Sequence, residues 1–393
     1  MSAYDVVVVG GRVAGASTAL HLARAGLSVA LLDRGRRGTD ALSTHAIMRA
    51  GVLQLTRSGV LDTLVAAGTP PIRHTLFHQP DTELVDVTIK PRAGVDALYA
   101  PRRHLLDRVL VDAAEEAGAH VLHETSVTAL RRDATGRVRG VSARNAVGSP
   151  IELEAVLTVG ADGIRSRVAE QVGAPVRWQG RTASAVLYRH VEGGPTDAYE
   201  WAYGDGAGAG AIATNDGQAC VFVGTTPERM RGLRRWGAER AMANLLATAA
   251  PALRDRLHGA RPASPLRGWA GIPGFVRDSW GPGWALVGDA GHFKDPITSH
   301  GITDALRDAE LLAHAVLATS AGWESEATAL AGYQATRDRL SRRLLAATER
   351  VAAYDWDADG IQALLREVSA AMTDEVEHLH ALPRPPRAAA VGT

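Results

Sequence analysis

Residues 10–15 of this 393-residue chain read GGRVAG, and they follow the apolar, β-branched run Val6 to Val9 without a break. A strand that feeds a glycine turn and then a helix brings backbone close to phosphate: Gly10 permits the tight turn, Gly15 lets the helix lie against the sheet, and Ala14 between them is small. The first amides of that helix then face a pyrophosphate. Eighteen residues beyond Gly15, at the end of SVALLD, stands Asp33, whose carboxylate can accept hydrogen bonds from both hydroxyls of a ribose. The spacing predicts a dinucleotide site built from Gly10, Gly11, Arg12, Ala14, Gly15, Asp33 and the adjacent Arg34. Arg12 stands where such turns usually carry a middle glycine, so its guanidinium either neutralises phosphate or points to solvent, and Gly11 restores part of the clearance.

Periodicity supplies the elements that must carry these residues. Val6 to Val9 are apolar on both faces, as a central parallel strand covered by helices requires. Gly15 to Ala25 is helical, Gly26 stops it, and SVALLD is the next strand, so residues 4–33 form a βαβ unit. Further on, the pattern predicts a helix over Ser43 to Leu64, broken strand-like sequence from Arg73 to Tyr99 and an amphipathic helix from Arg103 to Ala117. A strand in HVLHETSVTAL, a hairpin around Asp133 to Val141 and a buried strand in IELEAVLTVG follow. Between Val176 and Arg267, alternating strands such as SAVLYRHV and ACVFVG, with one helix near Gly237 to Ala250, mark an inserted domain. The glycine-rich stretch 204–217 lies between strands with no helix after it and reads as a hairpin. WALVGDA and a helix from Gly301 to Ala318 resume the first domain, helices continue to Leu382, and PRPPRAAAVGT reads as a mobile tail.

The expected fold class is therefore α/β. A Rossmann-like nucleotide domain takes residues 1–73, 98–175 and 267–350; a β-rich substrate domain takes 74–97 and 176–266; helices take 351–382 and the tail 383–393. Lys plus Arg number 43 and Asp plus Glu 43, and this balance excludes a broad electrostatic grip on nucleic acid. The single cysteine, Cys220, sits in a strand-like run, which excludes an intrachain disulfide. With no basic leader and no run of about 20 apolar residues, a cytoplasmic protein without integral membrane contact is expected.

Two later segments point to one dinucleotide. VGADGIRSRV at 159–168 and WALVGDAGHFKDPITSHGITDAL at 284–306 follow GGRVAG in order. Together the three resemble the FAD-dependent monooxygenases of the aromatic-hydroxylase type and their relatives, the flavin halogenases and geranylgeranyl reductases, over about residues 4–320. Carried over position by position, the resemblance implies that Asp289 hydrogen-bonds the ribityl chain of FAD, that Gly301 and Ile302 present N–H groups to the pyrimidine edge, and that Pro296 lies against the isoalloxazine face. A helix start at Gly301 suits the negative charge a reduced flavin gathers near N1 and O2. The resemblance also implies Arg49, in IMRAGVL, and Arg103, in PRRHLLDRVL, as partners of the pyrophosphate; a chain of zero net charge must supply such cations locally. Val127 corresponds to the backbone that meets adenine. Asp162 and Gly163 form a motif linked to both FAD and NAD(P)H, although Ala169 stands where an arginine usually closes it, with Arg165 and Arg167 nearby.

Three histidines, His45, His292 and His300, fall in segments expected near the flavin. His45 joins the cofactor candidates, and His300, with Pro296, the catalytic ones; a lone histidine serves equally as a hydrogen-bonded structural residue. No pair among these three has metal-ligand spacing, so no metal is expected. Halogenases use a lysine, which draws attention to Lys294, but their WxWxIP signature is missing and WAGIP at 269–273 is a distant echo. Lys294 reads as a loop or phosphate-side residue.

The function implied is a monooxygenase: NADH or NADPH reduces FAD, O2 adds at the flavin C4a position, and the hydroperoxide hydroxylates or epoxidises a small organic substrate. An aromatic or polycyclic substrate between the domains, with the second sheet as its floor, makes Tyr188, Trp201 and Tyr203 lining candidates; aromatic residues on strands also serve simply as packing. The expected assembly is a monomer or homodimer, with a separate flavin reductase as the alternative electron source. Rival readings are a reductase of carbon–carbon double bonds, a halogenase, and a non-catalytic binder like the prenyl-protein chaperones.

Overall fold

The computed structural model describes residues 2–78 and 84–385. Most of the expected tail, 386–393, lies outside the described residues. Strand Ser2–Val9 has parallel neighbours on both sides, Val29–Leu32 and Pro150–Gly160, with Val6 opposite both Val29 and Leu157. Its side chains alternate between two cores. Val6 and Val8 pack with the helices Val13–Arg24, Arg103–Glu116 and Gly301–Ser320 on one face. Val7 and Val9 pack on the other against the hairpin formed by Ser126–Arg132 and Val138–Arg144. His120–Leu122 extends the sheet beyond Val29–Leu32, and Trp284–Leu286 returns beside Pro150–Gly160. The turns after Val9, Gly160 and Leu286 therefore all leave the carboxyl ends of adjacent parallel strands, the edge where open α/β sheets bind ligands.

A second sheet runs in the order Arg261–Pro262, Ala185–Glu192, Gln218–Thr225, Ala207–Ala213, Tyr199–Gly204, His74–His78 and Val85–Thr88. Leu187, Val191, Val221 and Val223 face outward into a core with Met242 and Leu245. The opposite face carries Tyr188, Tyr199, Trp201 and Cys220 and packs against Ala46, Ile72, Leu98 and Ala100. Stretch 204–217 comprises the strand Ala207–Ala213 and the two hairpin connections that flank it within this sheet.

Several boundaries differ from the sequence pattern. Residues 43–48 are not helical: His45 has φ +71°, the Ile47 amide bonds the Tyr99 carbonyl, and the helix starts only at Arg49–Arg57, followed by Leu61–Ala66. Apolar spacing alone does not register that backbone pairing. Val176–Gln179 pairs with Phe275–Arg277 in a small separate sheet rather than with the second sheet, whereas Arg267–Trp269 pairs with Ala185–Glu192. Three helices, Pro227–Arg234, Ala238–Ala249 and Pro251–Arg256, replace the single one expected near 237–250. Glu326–Val351 and Ala358–Ala381 close the described chain. No helix among the described residues is long and apolar enough to cross a membrane.

Candidate functional site

Gly10 leaves its strand at φ +107°, and a Cβ there would run into the Ala161 carbonyl; at Gly15 a Cβ would run into the Gly10 carbonyl. Both positions require glycine for the close approach of strand, turn and helix. The Gly11 amide donates to Asp33 Oδ2 and the Gly35 amide to Asp33 Oδ1, each at 2.6 Å. Two amides thus aim the carboxylate, and each oxygen keeps a second lone pair for a ligand hydroxyl. The Thr125 amide bonds the Asp33 carbonyl at 2.9 Å, which draws the strand carrying buried Val127 alongside this loop. Arg34 is exposed beside it.

Arg12 lies 3.2 Å from Asp107 Oδ2, and Arg103 grips the same carboxylate through Nε at 3.2 Å and Nη2 at 3.0 Å. Burial pushes the Asp107 carboxyl up and the two guanidinium groups pull it down; the upward push wins. The sequence reading omits Asp107, although its i, i+4 relation to Arg103 is a legible signal. Arg49 is not part of this group. Its Nη1 donates to the Lys90 and Val95 carbonyls at 2.8 and 2.9 Å. Asp162 is likewise committed locally, accepting from Ser166 Oγ at 2.5 Å and from the Arg167 amide at 2.6 Å at the start of the helix Arg167–Val172. Ala169 is buried in that helix, with Arg165 and Arg167 exposed around it.

Gly288, at φ +57°, packs the third motif onto the first: a Cβ there would lie 3.0 Å from the Ala14 Cβ. Asp289 is thereby set close to the glycine turn. Across residues 283–313 nearly everything is buried, and surface remains at Asp289, Pro296, Ile297, Ser299 and Gly301 alone. Those include three of the positions expected to meet the flavin; Ile302 is buried and offers only its backbone. Burial, and then the charge of Asp304, push the Asp289 carboxyl up to about 7. The helices starting at Val13, Arg103 and Gly301 have no side chain accepting from their first amides, whereas those starting at Glu326 and Ala358 are capped by Ser325 and Asp357. Uncapped helix starts suit an anionic, polar ligand. With paired arginines, an aimed ribose-type carboxylate and small residues at the turn, the donor set fits FAD.

Beneath Pro296–Gly301 lies a buried ionic network. Lys294 pairs with Asp304; Arg307 bonds Asp304 at 2.8 Å, Asp308 at 2.7 Å and Glu375 at 2.9 Å; His300 Nε2 lies 2.6 Å from Glu375 Oε2. Arg307, Asp308 and Glu375 are absent from the sequence reading. Arg307 and Asp308 lie on the predicted helix, but nothing local in the sequence ties Glu375 to it.

In space, two groups do bring metal-type ligand atoms within 4.8 Å of one another: His300 with Asp304 and Glu375, and His45 with His190 and Cys220. His300 and Asp304 stand four residues apart, but Glu375 is distant from both, and His45 is distant from His190 and Cys220, so no local motif announces either group. Lys294 and Arg307 already pair with the carboxylates of the first. In the second, His45 Nε2 contacts His190 Nε2 at 2.9 Å, and burial together with Arg102 and Arg103 holds the His45 imidazole neutral. Those arginines disfavour a cation there. His292 is buried with neither ring nitrogen partnered among the described residues. Tyr188 Oη accepts from the Ser43 amide at 3.2 Å, and the Trp201 ring lies 5.7 Å from that of Phe222. Tyr203 packs edge-on to Trp356 at 5.8 Å, in a cluster that includes Ile297.

Fold and site together define a flavin-dependent oxidoreductase. The chain belongs to the FAD binding domain family, whose model matches residues 3–348. It is 30% identical over 356 residues to ubiquinone hydroxylase UbiL of Rhodospirillum rubrum, covering 88% of this chain and 80% of that protein. It is 26% identical over 357 residues to the digeranylgeranylglycerophospholipid reductase of Methanocella arvoryzae, covering 87% and 85%. Pseudomonas aeruginosa PqsL in complex with 2-aminobenzoylacetate shares the fold at 22% identity, with a TM-score of 0.80 over 93% of this chain and 100% of that one.

Proposed function

We propose that the protein is an FAD-dependent monooxygenase that uses NADH or NADPH and O2 to hydroxylate or epoxidise a small aromatic or polycyclic substrate. The observation that carries this reading is the shared cluster of Ile297, next to exposed Pro296, with Tyr203 of the second sheet. It draws the aromatic face of that sheet up to the turn where the flavin ring is expected. FAD, when bound, supplies the electron transfer and oxygen activation. The chain's own work is to bind and shield. Arg12 and Arg103 hold the pyrophosphate, Asp33 the ribose and Asp289 the ribityl chain; the amides of Gly301 and Ile302 receive the pyrimidine edge. Tyr188, Trp201 and Tyr203 exclude water and orient a planar substrate.

The ubiquinone hydroxylase among the relatives supports oxygenation, and the lipid reductase keeps double-bond reduction as the second reading. The pairing of buried Lys294 with Asp304 speaks against a halogenase lysine. The deciding experiment follows NAD(P)H oxidation with phenolic and polycyclic candidates under 18O2. One labelled atom per product molecule is expected. Turnover that is undiminished without oxygen would establish the reductase instead.

A further inference from the structure

His300 is the residue immediately before the helix Gly301–Ser320, and it is fully buried. Glu375, which it contacts, comes from Ala358–Ala381, so the C-terminal helix reaches beneath the flavin loop. Glu375 Oε1 accepts from the Arg307 guanidinium at 2.9 Å, the contact of an ionised carboxylate. An ionised carboxylate only accepts, so His300 Nε2 must carry a hydrogen, and the neutral ring keeps its lone pair on Nδ1. That atom is buried without a partner.

The charges around the imidazole set its response. Asp304, Asp308 and Glu375 supply three negative groups, and Lys294 and Arg307 two positive ones. At the border lie His292, held neutral by burial, Asp289, and Arg337 paired with Asp338. A neutral His300 leaves the inner group one negative charge in excess; a protonated His300 balances it. A cation directly at a helix start is disfavoured by the helix dipole, unless negative charge arrives beside it.

We propose that His300, positioned by Glu375, takes up a proton when negative charge develops at the start of the Gly301–Ser320 helix, so that flavin reduction is coupled to protonation of this residue. The inference rests on FAD lying at Gly301; it does not depend on oxygenation or on the substrate. Bound FAD that accepted a hydride from a nicotinamide would gain two electrons and one proton and would carry one negative charge. A second proton would then pass from solvent hydronium to His300 Nδ1, breaking a hydronium O–H bond, leaving water, and forming the N–H bond. Glu375 keeps its own charge and acts through the imidazole.

The test is the reduction potential of the bound FAD across the neutral pH range, measured by dye equilibration with dithionite as reductant, so that no turnover is needed. The wild-type holoenzyme should take up two protons per two electrons, giving twice the pH slope of a one-proton couple. His300→Asn, which keeps a donor for Glu375 but cannot be protonated, should halve the slope. Glu375→Gln should shift it in the same direction and Glu375→Asp restore it. Glu377→Gln, on the same helix but exposed and paired with Arg92, should leave it unchanged. A wild-type slope surviving in His300→Asn, or a one-proton slope in the wild type, overturns the inference and leaves the monooxygenase reading standing. Failed 18O incorporation does the reverse. Should the variants bind no FAD, 15N-histidine spectra of the wild type decide: a His300 ring neutral in both redox states overturns the inference, and an imidazolium in the reduced state alone supports it.

Discussion

Asp107 holds Arg103 by both carboxylate oxygens, with Nη2 3.0 Å from Oδ1 and 3.1 Å from Oδ2, and Arg12 approaches the same group from the glycine turn. One buried carboxylate therefore organises two cations at the place assigned to pyrophosphate. Arg103→Ala removes a phosphate partner and leaves the buried Asp107 carboxylate with Arg12 alone. The apo-protein is expected to lose about 3 kcal/mol of stability, and the Kd for FAD to rise by at least about tenfold. Arg103→Ala combined with Asp107→Ala should recover most of the stability and none of the affinity. Denaturant melts and fluorescence titration with FAD separate the two effects. Recovery of affinity in the double variant would remove Arg103 from the cofactor site.

Asp289 carries a cost that FAD is expected to relieve. Its carboxyl titrates at about 7 in the folded chain against 3.8 ordinarily. Because the folded value is the higher one, the group is costless at low pH and destabilises the apo-protein as pH rises from 3.8 through about 7. Asp289→Asn removes the charge. Its apo-protein should be more stable above neutrality by roughly 2–4 kcal/mol, with the gain vanishing in acid. The same variant should bind FAD more weakly, by roughly tenfold or more, for want of an ionised acceptor. Equal FAD affinity would show that Asp289 does not meet the cofactor.

Much of this was legible in sequence because it is local. The strand, turn and helix of residues 4–33 appear as read, since β-branched runs, glycines and an 18-residue step to Asp33 act through nearest neighbours. What the sequence hides is set by long-range contact. Arg49 matches a phosphate-binding position in type and local motif, and no local pattern shows that its Nη1 also donates to the carbonyls of Lys90 and Val95. His45 meets His190, 145 positions away, and His300 meets Glu375, 75 positions away. Residues 43–48 have helical spacing but leave the helix because the Ile47 amide pairs with Tyr99.

Acid should loosen the protein through histidines buried in neutral form. His21, on the first helix, is lowered to about 4, chiefly by burial, and His190 is lowered to about 4 for the same reason, aided by Arg102. Since the folded values lie below 6.5, stability is full above that pH and is lost as pH falls toward 4, while the unfolded chain binds protons and the folded one does not. Each group should contribute about 3 kcal/mol to this loss. His21→Leu, remote from the cofactor loops, should flatten the acid side of the stability–pH curve without altering FAD affinity at neutral pH. An unchanged curve would mean that His21 is not titrating as described.

Lys294 separates a structural from a catalytic reading of the flavin loop. Its ammonium is buried and paired with Asp304, whose other oxygen accepts from Arg307 at 2.8 Å. Lys294→Met leaves Asp304 with one cation where it had two, inside a network that also carries Asp308 and Glu375. The expected loss is about 3 kcal/mol. Adding Asp304→Asn removes the stranded charge, so the double variant should be more stable than Lys294→Met alone. Activity should follow the fraction of folded, FAD-loaded protein in both. If Lys294→Met folds and binds FAD normally yet loses turnover, the lysine acts on the reacting molecules and the ion pair with Asp304 is its resting state.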